Sequence, residues 1–413
     1  MKKTIRLWYL YDFANSFASI VLIFYYPLML TERGASDAWI GVSASIATGL
    51  LMLFLPYFGS WSDRTGRRIH FIKIASIVMV VSLFVMAFMM QRIDSFSIIV
   101  LCILSFFYIL FQVCFQGSYV FYSAMLRQIT TTDTNAKVSG IGLGLGQLGN
   151  AIALAVIGPI IGTPLIIAGL SGKPLSLFLG GILFAFISIP FFLQKDIKST
   201  SNETHFLYTK FFRKIYNEKR IFYFILGYSL LSDAILTFQL YIAIYVKRIF
   251  YFSDQLITYA GITGLAFGLV GGFMASRLAI TLKSKEKALW VSAILYAFCF
   301  CLCAFIPRIS SLVFISLAIC GFAYGLLFSL ARTVYSEISP NNEQAEFFSI
   351  FTVFERAASI VGPLLWLLIF YSLKGFGENI QYRGSVFFLI IICLFGLFFL
   401  KKSNRYANMI KSD

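Results

Sequence analysis

The chain has 413 residues, of which 59% are hydrophobic and only 13% charged, with a mean hydropathy of +0.84. Soluble domains carry about 25% charged residues, so too little polar surface is present to cover a water-soluble globule, and the composition asks for lipid as solvent. The net charge of +16 lies between apolar runs, which argues against nucleic acid and for the anionic surface of a lipid bilayer as its partner.

The first residues, MKKTIR, lead into an apolar run over 8–30. That run is too long for a signal peptide and has no small-residue cleavage site, so it reads as a first span. A helix needs about 20 apolar residues to cross a bilayer. By that measure about twelve spans follow in order, at 8–30, 39–58, 70–90, 96–125, 138–167, 176–193, 221–246, 256–282, 287–306, 311–332, 347–373 and 383–400. With the first residues in the cytoplasm, 24 Lys and Arg fall on the inner side and 8 on the outer. The positive-inside rule then predicts both termini inside; the membrane expected is a bacterial cytoplasmic (inner) one. The basic stretch 195–220 divides the spans six and six. The fold class expected is an all-α membrane protein with a six-helix lobe over 1–194, a cytoplasmic linker over 195–220 and a second six-helix lobe over 221–413. Within the linker Phe206, Leu207, Phe211, Phe212, Ile215 and Tyr216 alternate with Lys210, Arg213 and Lys214. That pattern reads either as a helix lying on the membrane surface or as a solvated connection.

Between the second and third spans stands GSWSDRTGRR, residues 59–68. It reads as a short charged hairpin, with Gly59 and Gly66 making the turns. Asp63 lies just past the upstream run, and Arg64, Arg67 and Arg68 lie at a membrane surface.

A polar side chain on a span faces protein or water, since facing lipid is costly, and residues three, four and seven apart share a helix face. The first span carries Asp12, Asn15, Ser16 and Ser19 in that spacing, and the fourth Tyr108, Gln112, Gln116, Tyr119 and Ser123. The fifth carries Gln147 and Asn150, the seventh Ser229, Ser232, Asp233 and Thr237, and the eleventh Thr352, Glu355, Arg356 and Ser359. The third, sixth, ninth and twelfth spans are nearly bare, which predicts three-helix repeats with every third helix facing lipid. Asp12 and Asp233 form a notable pair, each on the first span of its half. Each is a candidate to bind a substrate ammonium or carry a coupling proton. For Asp12 helix pairing or an interfacial position stays open beside that. Glu355 and Arg356 read as lobe-holding partners, with a substrate carboxylate as the alternative for Arg356.

Other features carry less. Gly140, Gly142, Gly144 and Gly146 mimic a dinucleotide fingerprint, but that motif needs a preceding strand. Close helix packing explains them and the pair Gly158 and Gly162, with Pro159 as a bend. Cys299, Cys301 and Cys303 alternate and so point to different helix faces, which makes no metal clip. His70 and His205 have no metal-ligand company, and neither a metal nor a cofactor is expected.

The stretch 59–68 closely resembles the loop between spans two and three of the major facilitator superfamily, G-x-x-x-D-R-x-G-R-R, at Gly59, Asp63, Arg64, Gly66, Arg67 and Arg68. The twelve-span layout extends that resemblance over the whole chain. It implies a transporter whose loop latches the cytoplasmic ends of two rocking lobes. A narrower resemblance, to the autophagy-related vacuole-effluxer-like family, rests on four places. These are Tyr11-Asp12-Phe13-Ala14-Asn15-Ser16, Phe121-Tyr122-Ser123-Ala124 with Val138-Ser139-Gly140, Ser232-Asp233, and the region from Ala331-Arg332 through Ala345-Glu346-Phe347-Phe348 to Gly362-Pro363. Members of that family include fungal vacuolar exporters of amino acids. The chain departs from the patterns at Ser276, where the superfamily's second loop has Asp, and at Arg127-Gln128, where the family has a Pro and an acid. The function expected is secondary active transport of a small polar solute, an amino acid as the instance, by a monomer that is not an enzyme and is coupled to a proton. The alternatives are a membrane receptor or scaffold without transport, and a lipid or amphiphile translocator on the same fold.

Overall fold

The computed structural model describes residues 2–65, 67–130, 132–196, 216, 218–307, 310–340 and 344–410. Twelve long helices run through them: α1 (Lys2–Glu32), α2 (Ala38–Thr65), α3 (Arg68–Arg92), α4 (Ile98–Ile129), α5 (Thr132–Ile157), α6 (Gly172–Phe192), α7 (Lys219–Phe250), α8 (Asp254–Thr281), α9 (Lys285–Phe305), α10 (Ser310–Ile338), α11 (Gln344–Ser372) and α12 (Glu378–Ile410). No strand forms among the described residues; the one pairing is an isolated bridge between Ile167 and Leu170. Eleven of the helices hold an apolar stretch long enough to span a bilayer, and α2 carries its apolar residues over Ala38–Phe54. The helices outrun their apolar runs, α1 by continuing to 31 residues and α12 to 33. Their i to i−4 backbone bonds are satisfied equally well beyond the hydrocarbon layer.

That continuation corrects the reading of 59–68. Gly59 lies inside α2, which stays helical to Thr65, and α3 begins at Arg68, so most of the stretch is helix. Arg67 is exposed and Arg68 buried, while Gly66 and the side chains of Asp63 and Arg64 lie outside the described residues. The start of α3 is held by Asp196, whose Oδ1 accepts from the Ile69 N–H at 2.6 Å. Ser276, which stands where the superfamily's second loop has Asp, is not in a loop either, since it falls within α8. The turn comes later, at Lys283 with its left-handed φ of 50° and at Ser284, whose Oγ accepts from Lys287 N–H. Pro159 does not bend a continuous helix. It opens a 3-10 turn over Gly158–Gly162 that ends α5. The linker reading over 206–215 lies outside the described residues.

The chain divides into two compact units, Met1–His205 with Phe252–Leu265, and Phe206–Tyr251 with Ala266–Asp413. In the first, α1 is central: 89% of its apolar stretch is buried, because Tyr11, Ala14, Phe17, Ala18 and Val21 meet neighbours on every side. It packs along α5 and α6, with α3 on α4 and α6 and α2 on α4. In the second unit α7 has that place, with 72% buried, packed on α12 and α11. It stops at Tyr251, which takes the left-handed φ of 56° usual for a glycine at a helix end. Exposed apolar side chains stand on α3, α6, α9 and α12 (Ile77, Phe186, Phe298 and Phe395, for example), but also on α4, α8 and α11 (Phe106, Phe273 and Leu368).

The first turns of α8 belong to the first unit. There Lys173 Nζ lies 2.6 Å from Glu32 and 2.7 Å from Asp254, and the Tyr25 and Thr258 hydroxyls bond at 2.9 Å. Glycine makes the approach possible, since a Cβ on Gly158 would overlap Thr258 and one on Gly261 would overlap Phe24. In the second unit Cys299 and Cys303, four residues apart, share one face and bond Ser316, Cys299 Sγ donating to its carbonyl at 3.2 Å and Cys303 Sγ meeting its Oγ at 3.2 Å.

Candidate substrate and coupling sites

In the first unit the polar stripe of α1 is buried: Asp12, Asn15, Ser16 and Ser19 are all under 9% exposed. Tyr119 of α4 donates its hydroxyl to Asp12 Oδ1 at 2.5 Å, which joins two of the expected residues. The glycines of α5 let that helix settle onto the carboxylate. A Cβ on Gly146 would sit 3.1 Å from Asp12 Oδ2, and one on Gly149 would lie 2.7 Å from the Phe13 carbonyl. Ser16 Oγ donates to the Gly146 carbonyl at 2.7 Å. One turn away Trp8 stacks on Tyr122 at 4.1 Å and donates its indole N–H to the Tyr122 carbonyl at 3.0 Å. The glycine run of α5 is thus a packing surface cut to fit Trp8, Asp12 and Ser16.

Beside this, Asn15 is fully buried, with neither amide atom hydrogen-bonded among the described residues, and Asn150 Oδ1 on α5 is likewise unbonded. Gln147 is half-buried next to Gly146. Gln112 donates to Tyr108 at 3.2 Å, while Gln116 is buried on the same helix. An unsatisfied buried amide costs about 1–3 kcal/mol per group. Asn15→Leu, which keeps the same four-atom branched side chain and has nothing to satisfy, is therefore expected to leave the melting temperature unchanged or raise it, by up to about 2 kcal/mol of stability. Solute uptake is expected to fall at least about tenfold. Melting and uptake measured on one preparation check this, and wild-type uptake would remove Asn15 from the site.

In the second unit Asp233 on α7 is 3% exposed and accepts from the backbone N–H of Gly362 at 2.8 Å. Thr237, one turn on, is also buried, its hydroxyl unbonded among the described residues. Both side chains press on Gly362 of α11, where any Cβ would overlap Thr237 Oγ1 and Asp233 Oδ1. No cationic side chain lies within ion-pair distance of Asp233 among the described residues. Further along α11, Glu355 accepts from Tyr228 Oη at 3.2 Å. Arg356, the next residue on α11, is half-buried. Glu355 is thus held within the second unit by Tyr228, a partner that the stripe reading missed. Its signal was there, since Tyr228 lies four residues before Ser232 on the same helix.

The geometry repeats. The first helix of each unit carries a buried carboxylate, and a glycine of the fifth spanning helix of the same half, Gly146 or Gly362, packs against it. The sequence model of the Major Facilitator Superfamily matches residues 9–363 and 267–409. The chain belongs to the major facilitator superfamily. It is 26% identical to the uncharacterized MFS-type transporter YxiO of Bacillus subtilis, over 94% of this chain and 92% of that one. It is 25% identical to autophagy-related protein 22 of the yeast Vanderwaltozyma polyspora, over 45% of this chain and 37% of that one. Among solved structures, a bacterial homologue of the human lysosomal transporter Spinster, inward-facing and unoccupied, superposes with a TM-score of 0.73 at 14% identity, covering 97% of each chain. The nucleoside transporter NupG gives 0.71 at 13% identity, covering 98% of each. Family and fold are those of secondary transporters embedded in a membrane by multiple spans.

Proposed function

We propose that the chain carries a small polar solute by alternating access and couples its movement to a proton at Asp233. The observation that carries the coupling is the setting of that carboxylate: buried at mid-span, bonded by a neutral backbone N–H, and without a cation in reach among the described residues. A carboxylate held so is tolerated when protonated or hydrated. Access that alternates between two sides lets it load a proton on one and release it on the other. Asp12 differs, since Tyr119 already satisfies one of its oxygens, and it serves to position the first unit's polar groups. Asn15 and Asn150 supply the unmatched donors and acceptors that a polar solute needs. An amino acid leads the solute classes on the likeness to the vacuole-effluxer family, and a nucleoside, named for one fold neighbour, comes next.

Asp233→Asn in proteoliposomes is expected to abolish uptake driven by a pH gradient while solute counterflow persists. Gradient-driven uptake at the wild-type rate would take Asp233 out of the coupling role. The solute itself is found by a thermal-shift screen of amino acids, nucleosides, sugars and organic anions, since a ligand stabilises the state it binds.

A further inference from the structure

The start of α7 and the end of α12, both in the second unit, come together as one basic and aromatic patch. Ser403 Oγ donates to the Arg220 carbonyl at 2.8 Å and ties the two ends. Tyr223 stacks between Phe399 and Tyr406, at 6.2 and 5.6 Å with the planes within 14° of parallel. Two lysines lie on tyrosine faces rather than on carboxylates: Lys402 Nζ is 4.2 Å from the Tyr223 ring centre and Lys219 Nζ 4.0 Å from that of Tyr216. Tyr216 itself is 58% exposed, and Lys401 and Arg405 are exposed beside them. Acids at this end of the unit are already engaged, Glu286 by Arg220 and Glu337 by Lys285. Among the described residues Lys219, Lys401, Lys402 and Arg405 have no carboxylate within ion-pair distance, and the acid left nearby is the exposed Glu218.

We propose that this patch is a binding site for the headgroup phosphate of an anionic phospholipid. The patch borders the apolar stretches of α7 and α12, which puts it at headgroup depth, where tyrosine and lysine are at home. A ring face orients an ammonium without neutralising it, so Lys219 and Lys402 keep full charge for a phosphate. Each basic residue near an anionic surface adds to the attraction. A lipid is favoured over a soluble anion because Tyr216, Tyr223 and Phe399 give its glycerol and upper acyl chain an apolar seat beside the charges.

The test uses the full chain purified in neutral detergent, with melting followed as phosphatidylglycerol, phosphatidylcholine or inorganic phosphate is added. Phosphatidylglycerol is expected to raise the wild-type midpoint, and the other two to leave it in place. In Lys219→Gln/Lys402→Gln the phosphatidylglycerol shift is expected to fall by at least about half, and Lys402→Arg is expected to keep it, since arginine also seats on a ring. A full shift in the double variant, or an equal shift with inorganic phosphate, overturns the proposal. If the double variant does not fold, Tyr223→Leu, which removes the seat and leaves every charge, is expected to show the same reduction; an undiminished shift there also overturns it.

Discussion

Replacing Gly362 with alanine is expected to lower transport by about a hundredfold, a loss on the scale that about 1 Å of misplacement imposes on a reactive site. The added methyl overlaps Asp233 Oδ1 and Thr237 Oγ1, and neither can yield cheaply. Thr237 is β-branched, stiff and buried, and Asp233 is bonded to the very backbone N–H beside the new methyl. Either the carboxylate leaves that N–H or α7 and α11 separate. Overpacking of this kind costs about 1–3 kcal/mol, so the protein is expected to remain folded with a lowered melting midpoint. Gly272→Ala is the matched control, since a Cβ there meets nothing within 4 Å. Uptake is measured for both, and a Gly362→Ala protein as active as the control would show that Asp233 does not need its present position.

Lys173→Met is expected to loosen the first turns of α8 from the first unit. The lysine side chain is only 11% exposed and faces Glu32 on one side and Asp254 on the other, at 2.6 and 2.7 Å. Its removal takes away the ammonium that both carboxylates share. Breaking a buried pair costs about 3–5 kcal/mol, and exposed pairs are worth under about 1. With the acids 31% and 27% exposed, a loss of about 1–3 kcal/mol is expected. The local consequence is read at Thr258, which is buried against Tyr25. Thr258→Cys is expected to react with a membrane-impermeant maleimide at least about tenfold faster when Lys173 is Met, tenfold being 1.4 kcal/mol of easier opening. Equal labelling rates would show that the ion pairs hold nothing in place.

The spans were legible because lipid imposes a length and a composition on every helix that crosses it. The stripe Asp12, Asn15, Ser16 and Ser19 was legible because helical spacing places those four on one side, and all four are buried. What they touch was not legible. Tyr119 is 107 residues from Asp12 and Gly362 is 129 from Asp233, and sequence spacing carries no information over such distances. Glycine also sends no side-chain signal, so Gly362 stood in the sequence as part of a motif and not as a wall of a site. Lys173 counted as one more outer charge, although its two partners come from α1 and α8. The stretch 59–68 misled for a different reason: a fall in hydropathy marks the edge of the lipid, and a helix such as α2 does not have to end there.

Two carboxylates resting on two glycines also give the molecule an experiment with its own control. Gly146→Ala and Gly362→Ala impose the same chemical change at equivalent places, but Asp12 has Tyr119 to hold it and Asp233 has only a backbone amide among the described residues. If the lobes were interchangeable, the two changes would do equal harm. The difference between them tests whether duplicated architecture has parted into two trades, as the coupling proposed at Asp233 requires.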